Sequence, residues 1–258
     1  MTTQDYYNIV PDENGWRMLP NGNKFKLGVH SIIGDWVKIG NNASIGTYVS
    51  IGNNASIGTY VSIGNGAYIG IGVHIADYAI IGNRATIGNE ACIGNNVVIG
   101  NYTTIGNSAN IDNGVKIGNK ITIGNNASIG TYVSIGNGAY IENNASIGNC
   151  ASIGNDVTIG NNVKIGNDAT IENKVTIENN VKIDKDAYIN ACPPICDDVI
   201  VSNNDKTTYL VTAINSAGDY VAHKLFKSEA EAEQCAKGFG SHCTIEIWQR
   251  ISSNLIQK

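Results

Sequence analysis

The sequence has no run of Lys or Arg: its 17 basic residues are scattered among 22 acidic ones, giving a formal net charge of -5. That balance offers no positive footprint for nucleic acid or for an anionic membrane surface, so neither is an expected partner. No apolar stretch approaches the roughly 18 residues of a membrane span, and no membrane insertion is expected. The first residues, MTTQDYYNIV, lack a basic segment followed by an apolar run, so cytoplasmic synthesis without a signal peptide is the expectation. Six cysteines (Cys92, Cys150, Cys192, Cys196, Cys235 and Cys243) are too few and too scattered in 258 residues for a disulfide framework. What the chain does have is 42% hydrophobic residues, enough for a sizeable core.

Those residues are periodic. From Leu27 to Ile189 every sixth residue is aliphatic, 28 positions of which 27 are Ile, with no insertion breaking the phase. The fifth position of each hexad is almost always small or a short β-branched residue, as at Ala43, Val49, Ala55 and Val61, with the bulkier Ile121 and Pro193 the main exceptions. The second position is Gly in 21 of the 28 hexads and the third is usually Asn, the residue types that most readily turn a chain through unusual backbone angles. Positions five and one point inward with position six outward between them, the two-residue period of a strand. A period this regular predicts a solenoid in which each hexad is a short strand and a corner. Each buried Ile then contributes roughly 1.5 to 3 kcal/mol, summed along the stack.

The pattern aliphatic, Gly, any, any, small, any resembles the hexapeptide-repeat family, related to bacterial acyltransferases, and the resemblance spans residues 27–194. It implies a left-handed parallel β-helix with three hexads in each 18-residue coil, hence about nine coils and a prism roughly 45 Å long. The expected fold is therefore mainly β, with a cap over residues 1–26, the β-helix over 27–194 and a linker over 195–204. A small C-terminal α+β domain over 205–258 is expected from TTYLVTAI, YVAHKLF, the helical SEAEAEQCAKGF and CTIEIWQRI, in the order ββαβ. In the cap, YYNIV and GWRML flank the turn residues PDENG and predict a hairpin that covers the open strand edges.

With 18 residues per coil, the outward sixth positions fall into three columns. The first runs Ile32, Ser50, Tyr68, Thr86 and Thr104; its neighbouring outward residues Arg84, Tyr102 and Lys120 are too bulky and charged for a flat ice-binding lattice. The second runs Lys38, Ser56, His74, Cys92 and Asn110. The third carries Ile80 and Val98 one coil apart, with Tyr60 and Tyr78 beside them, an outward apolar strip of the kind that marks an interface. The resemblance implies a homotrimer of prisms side by side, and the strip Tyr60, Tyr78, Ile80 and Val98 is the expected subunit contact. Residues 51–69 recur at 123–141, an offset of 72 that is four whole coils. Residues 39–50 recur at 51–62, an offset of 12 that changes face, which favours rod length over a unique surface.

Residues 73–83, VHIADYAIIGN, resemble the segment AHIAHDCTVGN of the UDP-N-acetylglucosamine acyltransferases, in which a His is the general base. His74 matches the first His of that segment, but Asp77 stands where the catalytic His falls and Tyr78 where its supporting Asp falls. A carboxylate is a weak base for a hydroxyl or amine near neutral pH. The carbonic anhydrases of this fold need three His at an interface; only His30 and His74 lie in the repeat, so no metal is expected. Cys192, Cys196, Cys235 and Cys243 could make a four-thiolate zinc site, but CPPIC is looser than C-x2-C, and core packing is favoured. The acidic residues Glu142, Glu172, Glu178 and Asp184 are interleaved with lysines, which favours a solvated salt-bridge surface over a cation site.

The functional expectation is a non-catalytic rod, spacer or display protein, part of a virion or surface fibre, with no cofactor and a protein or surface partner through the terminal regions. The alternative is an acyltransferase dependent on CoA or an acyl carrier, acting on a sugar or amine with His74 as base and Asp77 beside it.

Overall fold

A computed structural model of the protein describes residues 2–189 and, beyond them, the backbone of the strands Ile200–Val201, Tyr209–Asn215, Tyr220–Phe226, Cys243–Ile251 and Asn254–Gln257. From Ile32–Ile33 to Tyr188–Ile189 the chain is a parallel β-solenoid of about nine coils. Every strand joins a sixth position to the first position of the next hexad, and all are two residues long except Ala43–Ile45. Partners lie 18 residues apart in register, as His74 with Ser56 and Cys92, and Ile75 with Ile57 and Ile93. Three sheets result, one for each column of outward residues, here called the Thr86, His74 and Ile80 faces. The fifth and first positions fill the interior, Val97, Ile99, Ala79 and Ile81 among them. Two interior hydroxyls are satisfied in place: Ser31 donates to the Gly46 carbonyl at 2.7 Å and Thr103 to the Gly118 carbonyl at 3.0 Å.

The corners work differently from the sequence reading. Positive φ falls on the fourth position of every hexad from His30 to Asp186, and its occupants include Tyr48, Tyr78, Arg84 and Lys120 as well as four glycines. A left-handed non-glycine residue costs on the order of 1 kcal/mol or more. Its N–H is offset by a bond to the previous coil, as Tyr78 donates to the Thr59 carbonyl at 2.9 Å. Where the second position is glycine, it is kept for space instead. A Cβ on Gly100 would lie 2.4 Å from the carbonyl oxygen of Gly118 in the next coil.

Asn at the third position forms ladders along the prism. The backbone N–H of Asn65 donates to Oδ1 of Asn83 at 2.8 Å, and the pattern continues at 2.7 Å through Asn101, Asn119, Asn137, Asn155 and Asn173. Each side chain thus completes a backbone donor that the strand ladder leaves open.

At the N-terminal end, Thr3–Asn8 form a helix (α1), where a strand of the cap hairpin was expected; the Asp5 carboxylate accepts the Thr2 N–H at 2.7 Å. The hairpin is formed by Trp16–Met18 (β1) and Lys24–Leu27 (β2), and β2 continues in parallel into the Ile80 face. The helix closes the first coil. Tyr6, stacked edge-on against Phe25, donates to the Val37 carbonyl, and Tyr7 donates to the Ser31 carbonyl at 2.6 Å. Asn23 covers the Ile39 carbonyl at 3.3 Å.

Toward the C-terminus, Ile200–Val201 adds to the His74 face by pairing with Lys182–Ile183. The strands Tyr209–Asn215, Tyr220–Phe226, Cys243–Ile251 and Asn254–Gln257 pair antiparallel in one sheet, with Tyr209–Asn215 between the second and third of these. The expected helix over SEAEAEQCAKGF lies outside the described residues.

Candidate functional site

His74 opens a strand of its face and is exposed, its Cα in register with Ser56 on one side and Cys92 on the other. The corner before it ends on Gly72, at φ 67, so no side chain stands at the fourth position immediately upstream. The corner after it is Ala76, Asp77 and Tyr78. Asp77 takes a place in an Asn ladder: its Oδ1 accepts the Thr59 N–H at 2.7 Å, and its own N–H donates to Asn95 Oδ1 at 3.1 Å. Asp77 therefore does at this corner what Asn does at other third positions, a structural role that accounts for its side chain without catalysis.

Tyr78 stacks on Tyr60 with ring centroids 5.2 Å apart and planes at 11°. This pair lies on the edge between the His74 and Ile80 faces. Around that edge Ile80 and Val98 are register partners, about half and a third exposed at 50% and 38%. Tyr60 and Tyr78 thus lie on the edge and Ile80 and Val98 on the adjoining face, all exposed and close in the chain to His74.

The His74 face also carries a hollow that sequence reasoning missed. A cavity of about 540 Å³ at the N-terminal edge is lined by Tyr6, Leu19, Pro20, Lys38 and Ser56 among others. Lys38 and Ser56 precede His74 in its own column, so the hollow and the imidazole share a face. Only the column pointed to it; the wall comes from α1 and the turn after β1, which no repeat encodes. Burial, and secondarily the nearby Asp5 charge, raise the Tyr6 phenol above its ordinary value of 10.0, which keeps the donor to Val37 protonated.

His30 lies on a different corner, stacked on Tyr48 at 4.9 Å. Among the described residues no three His, Cys, Asp or Glu side chains converge as a metal site. Three of the four late acidic residues have local partners: Tyr188 donates to Glu172 at 2.6 Å, Lys182 pairs with Asp184 at 3.3 Å, and Asn161 donates to Glu142. The bond to Glu172 raises the Tyr188 phenol. Cys192, Cys196 and Cys235 lie outside the described residues, and of Cys243 only the backbone is described. No helix among the described residues is long and apolar enough to cross a membrane.

The repeat matches the bacterial transferase hexapeptide family model at residues 37–70 and 138–173, and the first of these matches ends four residues before His74. No curated protein matches in sequence. Solved structures similar to this chain include three UDP-N-acetylglucosamine acyltransferases. The one from Campylobacter jejuni shares 17% identity, with 82% of each chain covered and a TM-score of 0.44. The one from Francisella novicida shares 18%, covering 83% of this chain and 75% of that one at 0.48. The one from Moraxella catarrhalis shares 17%, covering 77% of each at 0.48. The match to a transferase repeat overturns the expectation of a non-catalytic rod or fibre, and the acyltransferase alternative is the reading it favours. The solenoid thus resembles the hexapeptide-repeat superfamily related to bacterial acyltransferases, whose repeat it matches over residues 37–70 and 138–173.

Proposed function

We propose that the protein is an acyltransferase that moves an acyl group from a thioester of CoA or of an acyl carrier to a hydroxyl or amine on a sugar or amine acceptor. The observation that carries this reading is the transferase repeat over residues 37–70, which leads directly into an exposed imidazole at His74. In the proposed reaction His74 removes the acceptor proton as the new bond to the acyl carbon forms, and then returns it to the departing thiolate. Lys38 stands two coils from His74, about 10 Å at the strand spacing, at the rim of the hollow. Its ammonium suits the phosphates of CoA or of a carrier's prosthetic arm, and the apolar wall beside it suits the acyl or pantetheine chain. The protein is proposed to act as a homotrimer joined along Tyr60, Tyr78, Ile80 and Val98, which would set a neighbour against the His74 face. The terminal regions are the proposed place for any further protein partner.

The test is acyl transfer from a panel of acyl-CoAs and acyl carriers to UDP-sugars and amino sugars. His74→Ala should lower kcat/KM on the order of 10²- to 10⁴-fold, while Asp77→Asn should leave it unchanged. Equal rates for His74→Ala and the parent protein would overturn the assignment.

A further inference from the structure

Cys92 is the immediate neighbour of His74 on the same face. The two are register partners on adjacent parallel strands, so their Cβ atoms stand about 4.8 Å apart and project to the same side of the sheet. Both are exposed, and Cys92 is a free thiol. At that spacing, side chains of this length come within hydrogen-bond reach by ordinary rotamer changes. Beyond Cys92 the column continues with Asn110, which is polar and uncharged. A thiol beside an imidazole is the arrangement by which a cysteine becomes a nucleophile. The other free thiol among the described residues, Cys150, sits alone on a corner at φ 59, with Tyr132 and Asp168 at the equivalent corner positions of the coils on either side.

Building on the acyl-transfer reading above, we propose that Cys92 is an acyl-accepting nucleophile activated by His74, so that transfer proceeds through a thioester on this residue. The Cys92 thiol proton passes to the imidazole, and the thiolate attacks the carbonyl carbon of the donor thioester. The bond from that carbon to Cys92 sulfur forms as its bond to the donor sulfur breaks. The donor leaves as a thiolate and takes the proton from the imidazolium. One thioester replaces another, so no oxidant or further reactant is consumed. The acceptor hydroxyl or amine then attacks the Cys92 thioester, with His74 again taking its proton, and the thiol is restored.

The two cysteines make an internal comparison. Trypsin cleavage at Arg84, Lys116, Lys120 and Lys164 puts Cys92 and Cys150 on separate peptides. The full-length protein, incubated with acetyl-, decanoyl- and palmitoyl-CoA, should carry a hydroxylamine-labile acyl group on the Cys92 peptide. It should form on the order of 10² times faster than any adduct on the Cys150 peptide. His74→Ala should bring Cys92 down to the Cys150 rate, and iodoacetamide labelling should show the same order. Equal labelling of the two thiols, or unchanged steady-state transfer in Cys92→Ala, overturns the covalent route. If His74→Ala abolishes transfer while Cys92→Ala does not, the acyltransferase reading stands and only the thioester falls. Rapid labelling of Cys92 with no onward transfer keeps the nucleophile and removes the transferase.

Discussion

Asp77 holds a corner of the coil closed, and its chemistry follows from its position in the hexad. As a third-position residue it does for the Thr59 amide what Asn83 does for Asn65. Asp77→Asn should therefore leave the melting temperature within about a degree, whereas Asp77→Ala should cost about 1 kcal/mol by stranding the Thr59 donor; thermal denaturation followed by circular dichroism distinguishes the two. The second position answers to a different constraint. Gly100→Ala would drive a Cβ into the Gly118 carbonyl at 2.4 Å, so the coils must separate locally. A loss of roughly 1 to 3 kcal/mol is expected there, against almost none for Ser134→Ala on the exposed surface. At this scale the sequence displayed which positions were restricted but not why. Gly and Asn both suggest turning, and only the 18-residue spacing of neighbours reveals that one is kept for space and the other for its amide oxygen. The residue that does adopt positive φ, at position four, is chemically so varied that no pattern could expose it.

Among the elements, the short strands were legible because each coil repeats the same inward pair, while the cap was not, because it occurs once. YYNIV looks like a strand by composition, yet a helix lets Tyr6 and Tyr7 both reach carbonyls of the first coil, Val37 and Ser31, that have no preceding coil to bond. Tertiary demand overrides local preference here. The consequence is a pH signature. The folded state raises the Tyr6 phenol above 10.0, so its stabilisation is complete below about pH 10 and is lost as pH rises through the folded value. Relative to Tyr6→Phe, the parent protein should be more stable by about 1 kcal/mol at pH 8, and that advantage should shrink steadily above pH 10 in urea titrations. A constant difference across pH 8 to 11 would mean that Tyr6 contributes packing alone.

For the whole molecule, the prism fixes which residues can meet. Residues 18 apart share a face, so His74 inherits Ser56 and Cys92 as neighbours, and the column order was readable before any coordinates. What lay beyond the sequence is the relation of that column to the hollow and to the aromatic edge, because both depend on how coils and cap enclose space. Tyr60 and Tyr78 stack at the edge shared by the His74 and Ile80 faces, and Ile80 and Val98 extend the apolar surface around it. Two aliphatic side chains and two phenol rings left in water forgo on the order of several kcal/mol of burial, which a second prism packed along the same axis would recover. In the proposed trimer such packing would set a neighbour's surface beside His74, so assembly and activity should fail together. The double variant Ile80→Lys with Val98→Lys changes only outward residues and should keep its far-ultraviolet spectrum and melt within a few degrees of the parent. It should sediment as a monomer at micromolar concentration and lose acyl transfer. A monomer that retains full transfer would show that one chain holds the complete site, and an undiminished oligomer would place the contact on another face.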